Sequence, residues 1–186
     1  MAHIDSLDEL LQDELRDIFD AEKQLTKALP KMVKNATATE LKQAFEDHLR
    51  QTEQHIERLV EIFEQMGLPA RGKKCVGMEN LLKEGEAMID DAGEDATRDA
   101  VMIAAAQKVE HYEIATYGTL RTWATLLGKN DIAALLEDTL NEEKEADQKL
   151  TGIAESSVNA ASAAEDDREE GEEHEGRQPV GADRKR

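Results

Sequence analysis

At 186 residues the chain has room for one domain of ordinary size and an appendage. A net charge of −19 excludes non-specific nucleic-acid binding, because phosphate would be repelled at long range. One cysteine excludes an internal disulfide framework, and no apolar run has the length of a signal-peptide core or a membrane span. Ala, Leu, Glu, Lys and Gln dominate and Pro is rare, which predicts an all-α, cytoplasmic protein with no membrane and no nucleic-acid partner.

Residues 1–5 are expected to be loose. Ser6 and Glu9 have capping-box spacing, so a first helix should start there and carry the stripe Leu7, Leu11, Leu15, Ile18, Glu22, Leu25 and Leu29. Pro30 lacks a backbone donor and should kink or end its regular part, with helix resuming to about residue 34. Thr37 and Glu40 form a second capping-box pair. The second helix then carries Leu41, Phe45, His48, Thr52, Ile56, Leu59 and Phe63 as far as Gly67-Leu68-Pro69.

A connection over residues 67–96 holds a basic patch (Arg71, Lys73, Lys74), Cys75, and a short amphipathic piece at 78–89. The third long helix should run from about 96 to 127, with a stripe through Met102, Ala106, Val109, Glu113, Thr116, Leu120 and Ala124. After the turn at Gly128-Lys129-Asn130, the fourth carries Ile132, Leu136, Thr139, Leu140, Glu143, Asp147, Leu150 and Ile153. From Ser156 the period vanishes and acids outnumber bases by ten to five over residues 155–186. Such a segment cannot bury enough to offset its ordering entropy. The chain divides into a bundle at 1–155 and an acidic disordered tail at 156–186.

The two halves match at an offset of 91 residues, which lays Ser6 on Thr97, Ile18 on Val109, Glu22 on Glu113 and Thr52 on Glu143. Short turns within each half make antiparallel hairpins, and the long connection between them can cross the length of a bundle. The expected fold is a ferritin-like four-helix bundle with one long crossover containing a short helix.

Carboxylates stand where apolar residues are expected. The mid-bundle polar set is Glu22, His48, Thr52, Glu110, Glu113, Glu143 and Asp147. An unpaired ionised carboxylate in a helical core must be neutralised, paired or bound to a metal. Hard carboxylates with an imidazole suit iron or manganese, and bridging carboxylates would permit a dinuclear centre. A plainer reading stands beside this one: Glu110 and Asp147 could face water, and His48 could be a hydrogen-bonded core histidine. Glu22, Glu113 and Glu143 resist it, each having apolar neighbours at helical spacing on both sides. Glu53 and His55 fall at the edge of their stripe and read as surface residues, and His111 reads as an interhelical group or one that supports a ligand from behind. Tyr112 and Tyr117 read as packing residues that could also hydrogen-bond near a metal. Cys75 reads as an ordinary loop thiol, with a basic setting that could lower its pKa.

The strings Asp-Ala-Glu-Lys-Gln-Leu at 20–25, Ile-Ala-Ala-Ala-Gln-Lys-Val-Glu-His-Tyr-Glu-Ile-Ala at 103–115 and Leu-Asn-Glu-Glu-Lys at 140–144 resemble the YciE/YciF family of bacterial ferritin-like proteins. The resemblance covers roughly residues 4–155. It implies a rubrerythrin-like bundle, a homodimer, a stress-associated role and a di-iron or manganese site with ligands at Glu22, Glu110, Glu113, Glu143 and Asp147, His48 lying nearby. Rubrerythrins and bacterioferritins carry Glu-x-x-His on their second and fourth helices; here Glu53 is followed by Ile56 and Glu143 by Ala146. That departure leaves the second metal position short of ligands. Three functions remain open: a redox protein acting on peroxide or dioxygen, a metal-sequestering protein without turnover, and a structural stress-response dimer.

Overall fold

A computed structural model describes residues 4–93 and 96–164, all helix and short connections. The elements are α1 (Leu7–Asn35), α2 (Thr39–Gln65), α3 (Val76–Asp91), α4 (Ala96–Leu126) and α5 (Asn130–Ile153). None is long and apolar enough to cross a membrane. The Ser6 hydroxyl accepts from the Glu9 amide, capping α1 as its sequence predicts. The same helix does not end at Pro30 but continues through it to Asn35, with the proline ring exposed.

The predicted capping box at Thr37 and Glu40 is replaced by a cap from another helix. Asp99, at the start of α4, accepts from the Thr37 amide at 2.8 Å, the Thr37 hydroxyl at 2.6 Å and the Ala38 amide at 2.7 Å. This contact joins the N-termini of α2 and α4, so these helices run parallel. Lys129, ahead of α5, pairs with Asp8 in the first turn of α1 at 3.1 Å, so α1 and α5 are also parallel. Each hairpin is antiparallel internally, and α1 packs on α2, α2 on α5, α5 on α4 and α4 on α1. This is the four-helix bundle with one long crossover.

The crossover is tied down along its length. The Lys73 amide donates to the Arg16 carbonyl at 2.9 Å, the Lys73 ammonium pairs with Asp13 at 2.7 Å, and the Cys75 amide donates to Asp20 at 2.9 Å. Helix α3 then lies on α4 and against the edge of α1. A Cβ at Gly77 would stand 3.0 Å from the Tyr112 ring, so glycine permits this approach. At the other end, Gly67 and Gly128 adopt φ of 67° and 73° and end α2 and α4.

Helical structure continues past the expected boundary. Residues 154–158 form a π-helical turn and residues 159–164 a further helical turn, with Val158 buried against the bundle. Residues 156–164, expected to belong to the disordered tail, are helical instead. The remainder of that segment lies outside the described residues.

Candidate metal centre

Glu22, Glu113 and Glu143 lie near the midpoints of α1, α4 and α5, and all three are fully buried. Glu110 and His48 join them with only 2% and 6% exposure. Glu110 does not face water, and His48 is not the hydrogen-bonded core histidine of the plainer reading. His48 Nε2 stands 3.4 Å from Glu110 and 3.9 Å from Glu143, and neither of its ring nitrogens has a hydrogen-bond partner among the described residues.

His55 corrects the sequence reading most. Expected on the surface, it is fully buried at the centre of the bundle. Its Nε2 lies 2.9 Å from Glu142, which Arg58 grips through two bonds of 2.8 and 3.1 Å. Its Nδ1 faces inward, 3.0 Å from Glu143 and 3.5 Å from Glu22 without hydrogen-bond alignment. A histidine held at one nitrogen by a carboxylate presents the other as a fixed, basic ligand. The signal was in the sequence: Thr52 and His55 have the spacing of a Glu-x-x-His pair, with threonine in place of the acid. Thr52 itself turns back to the His48 carbonyl at 2.9 Å.

Asp147 is the opposite correction. One turn beyond Glu143, it leans to the bundle edge, where it accepts from Gln107 at 3.1 Å and lies 3.4 Å from His111. It belongs to neither ligand group, and His111, largely exposed, meets it across the α4–α5 seam as an interhelical pair. Glu53 is exposed as expected. Tyr117 is fully buried, and its hydroxyl donates to Glu22. Tyr112 lies away from the acids, its hydroxyl 3.1 Å from Cys75 Sγ and donating to Asp17 at 3.1 Å. Cys75 is buried, and burial foremost, with Asp17 beside it, pushes the thiol up rather than down.

The side chains fall into two groups whose ligand atoms lie within 4.8 Å of one another. Glu22, His55 and Glu143 form one; His48, Glu110, Glu113 and Glu143 form the other. Glu143 belongs to both. Ligands on opposite sides of a divalent ion stand about 4 Å apart, so each group has the size of a coordination shell. Nine inward-facing nitrogens and oxygens of these residues find no hydrogen-bond partner among the described residues. Buried polar atoms are almost always satisfied, and such a concentration of exceptions on metal-ligating atoms matches a cation shell.

Electrostatics describes the same strain. Burial, then the Glu143 charge, pushes Glu110 and Glu113 well above the carboxylate range, and burial raises Glu22. Burial also pushes Glu143 upward, but His55 and His48 outweigh it and hold that group low. Burial would lower His55, yet Glu143 and Glu22 push it up to about 10. Without a cation, the cluster must take up protons.

The model of the family described as "Domain of unknown function (DUF892)" matches residues 6–163. Protein YciF of Escherichia coli K12 is 48% identical over 146 residues, covering 78% of this chain and 88% of that protein. Among solved structures, the E. coli stress protein YciF superimposes with a TM-score of 0.80 at 44% identity, over 84% of this chain and 99% of that one. YcfI from Rhodopseudomonas palustris superimposes with a TM-score of 0.77 at 45% identity, over 80% and 94%. With matches of this depth along nearly the whole described bundle, the chain belongs to the DUF892 family and is a YciF-like helical protein.

Proposed function

We propose that this protein is a stress protein that holds a pair of iron or manganese ions at the bundle centre and reacts with peroxide or dioxygen. The carrying observation is the set of nine partnerless ligand atoms on Glu22, His48, His55, Glu110, Glu113 and Glu143. Two divalent ions would balance the four buried carboxylates, and Coulomb attraction in that low-dielectric setting would offset their desolvation. E. coli YciF is described as a stress protein, which supports the physiological setting.

The residues divide the work. Glu22 and His55 would hold one ion and His48, Glu110 and Glu113 the other, with Glu143 common to both groups. Tyr117 fixes one Glu22 oxygen by donating to it, and the second is left for a ligand bond. Arg58 and Glu142 orient His55 and keep its proton on Nε2. The imidazole missing from the Glu-x-x-His pattern is thus restored, one to each position. When bound, such an ion pair supplies redox chemistry toward small oxidants. Buried Leu, Phe and Ile side chains make up the core in which it would sit.

Anaerobic calorimetric titration of chelator-treated protein with iron(II) tests this reading. Wild type is expected to take two ions per chain, and Glu143→Ala, which removes the shared ligand, at most one. The loaded wild type is expected to consume peroxide, and Glu113→Ala to lose that activity. Absence of saturable metal binding to the wild type would end the reading.

A further inference from the structure

A cavity of about 350 Å³ opens between α1, α3 and α4 and reaches inward to His48 and Glu110. Its walls are apolar, formed chiefly by Leu25, Leu29, Phe45, Leu82, Ile89 and Val109. Its mouth is polar: Lys31 and Glu86 are exposed there and pair across it at 2.6 Å. The inner end is built differently. His48 and Glu110 are more than nine-tenths buried, and Glu110 Oε2 and both His48 nitrogens lack partners among the described residues. The volume lies in the range of small-molecule sites, about 300–1,000 Å³, where apolar walls carry affinity and a few convergent polar groups fix orientation.

A second cavity, about 440 Å³, approaches His48 and Glu110 from the opposite side, between α2 and α5, past Asp47, Gln51, Gln54 and Lys149. Ions and water have that polar route to the cluster. The apolar cavity is ill suited to them and well suited to a chain of methylenes. Close packing of α3 on α4 shapes it: a Cβ at Gly85 would stand 3.3 Å from Ala105 Cβ, so α3 meets α4 tightly there while the space toward α1 stays open.

We infer that this cavity binds a single-chain amphiphile, its alkyl tail along the α1–α3–α4 walls and a neutral oxygen-bearing head group (hydroxyl, aldehyde or hydroperoxide) at His48 and Glu110. The head-group assignment rests on the metal reading above. With two divalent ions balancing the four buried carboxylates, an anionic or cationic head would be desolvated without a compensating charge. A neutral head carries no such penalty.

The test uses the neutral fluorophore N-phenyl-1-naphthylamine, displaced by 1-decanol, decanoate or decylammonium, on metal-free and cobalt(II)-loaded full-length protein. The probe is expected to bind saturably and 1-decanol to displace it, with the two ionic analogues at least about tenfold weaker on the loaded protein. Ala106→Phe on α4 and Ala28→Phe on α1 each push a ring into the cavity from an opposite wall. Each is expected to weaken 1-decanol by about tenfold or more while cobalt binding is unchanged. If one variant fails to fold, by helical circular dichroism, the other decides.

1-Decanol should also shift the cobalt absorption bands of the wild type and leave those of the variants alone. No saturable probe binding, or full displacement in both folded variants, would overturn the site. Equal displacement by decanoate would overturn the neutral head group. If cobalt does not bind while 1-decanol does, the metal reading has failed and the cavity stands; the reverse result sinks only the cavity.

Discussion

Asp99 and Glu113 are buried to the same depth on the same helix, at 1% and 0% exposure, and their surroundings are opposite. Asp99 receives three hydrogen bonds from the start of α2, two of them from the backbone. Neither Glu113 oxygen receives any from the described residues. Burial of an acid is therefore not the mark of a site. A satisfied acid is structural: Asp99 caps a helix across the bundle. An orphaned acid among other orphans costs the apoprotein stability, and that cost persists only if something outside the chain offsets it.

Substitutions pull the two acids apart. Asp99→Ala leaves two amides and a hydroxyl without partners at a helix N-terminus. It should cost about 3–4 kcal/mol in urea denaturation, equally with and without metal. A loss confined to the metal-loaded protein would place Asp99 with Glu113 instead.

The support of His55 gives an intermediate effect. Glu142→Gln loosens both Arg58 and the Nε2 side of the imidazole without touching an ion. Metal affinity at the Glu22–His55–Glu143 position should fall about 10–100-fold, while the His48–Glu110–Glu113 position keeps its own. Calorimetry should resolve this as one weakened ion of two. Equal weakening of both would mean that the positions are not separately built.

The smallest effect is a pH trend with opposite signs in the two states. Glu110 and Glu113 have raised pKa values in the fold, so their contribution is complete below the unfolded value of about 4.3 and is lost as pH rises. His55, raised to about 10, acts in the same sense, contributing below about 6.5 and losing it on the way to about 10. Glu143, held low, opposes them. Metal-free protein should lose stability from about pH 5 to about pH 9. Metal binding requires deprotonated ligands and strengthens over that interval. The gap between the denaturation midpoints of manganese-loaded and chelated protein should widen with pH; a constant gap would mean that these groups do not meet the ion.

The sequence showed the bundle and the acids because both leave a periodic trace. Four helical stripes, two short turns and one long crossover suffice for the topology, and Glu22, Glu113 and Glu143 interrupt those stripes with apolar neighbours on either side. His55 was hidden because it falls one position off the stripe through Thr52 and Ile56, and because its partner in the spacing is a threonine. Asp147 looked equivalent to Glu143 one turn away, but a residue at the stripe's edge turns outward when a partner such as Gln107 waits there. The α2 cap could not be read locally at all, since Asp99 lies 62 residues from Thr37. The helix beyond Ser156 is tied to the bundle by the buried Val158 and by a bond of 2.9 Å between the Thr97 and Ser162 hydroxyls.

The most direct test is urea denaturation of wild type and Glu113→Leu, each with chelator and with saturating manganese(II). The metal reading predicts a crossing. Without metal, Glu113→Leu removes an unpaired buried acid and should be more stable than wild type by about 1–3 kcal/mol. With metal the wild type should gain about 3–4 kcal/mol at concentrations several hundredfold above Kd, and the variant much less. If Glu113→Leu is less stable than wild type by the same amount in both conditions, the cluster is structural and the metal reading is contradicted.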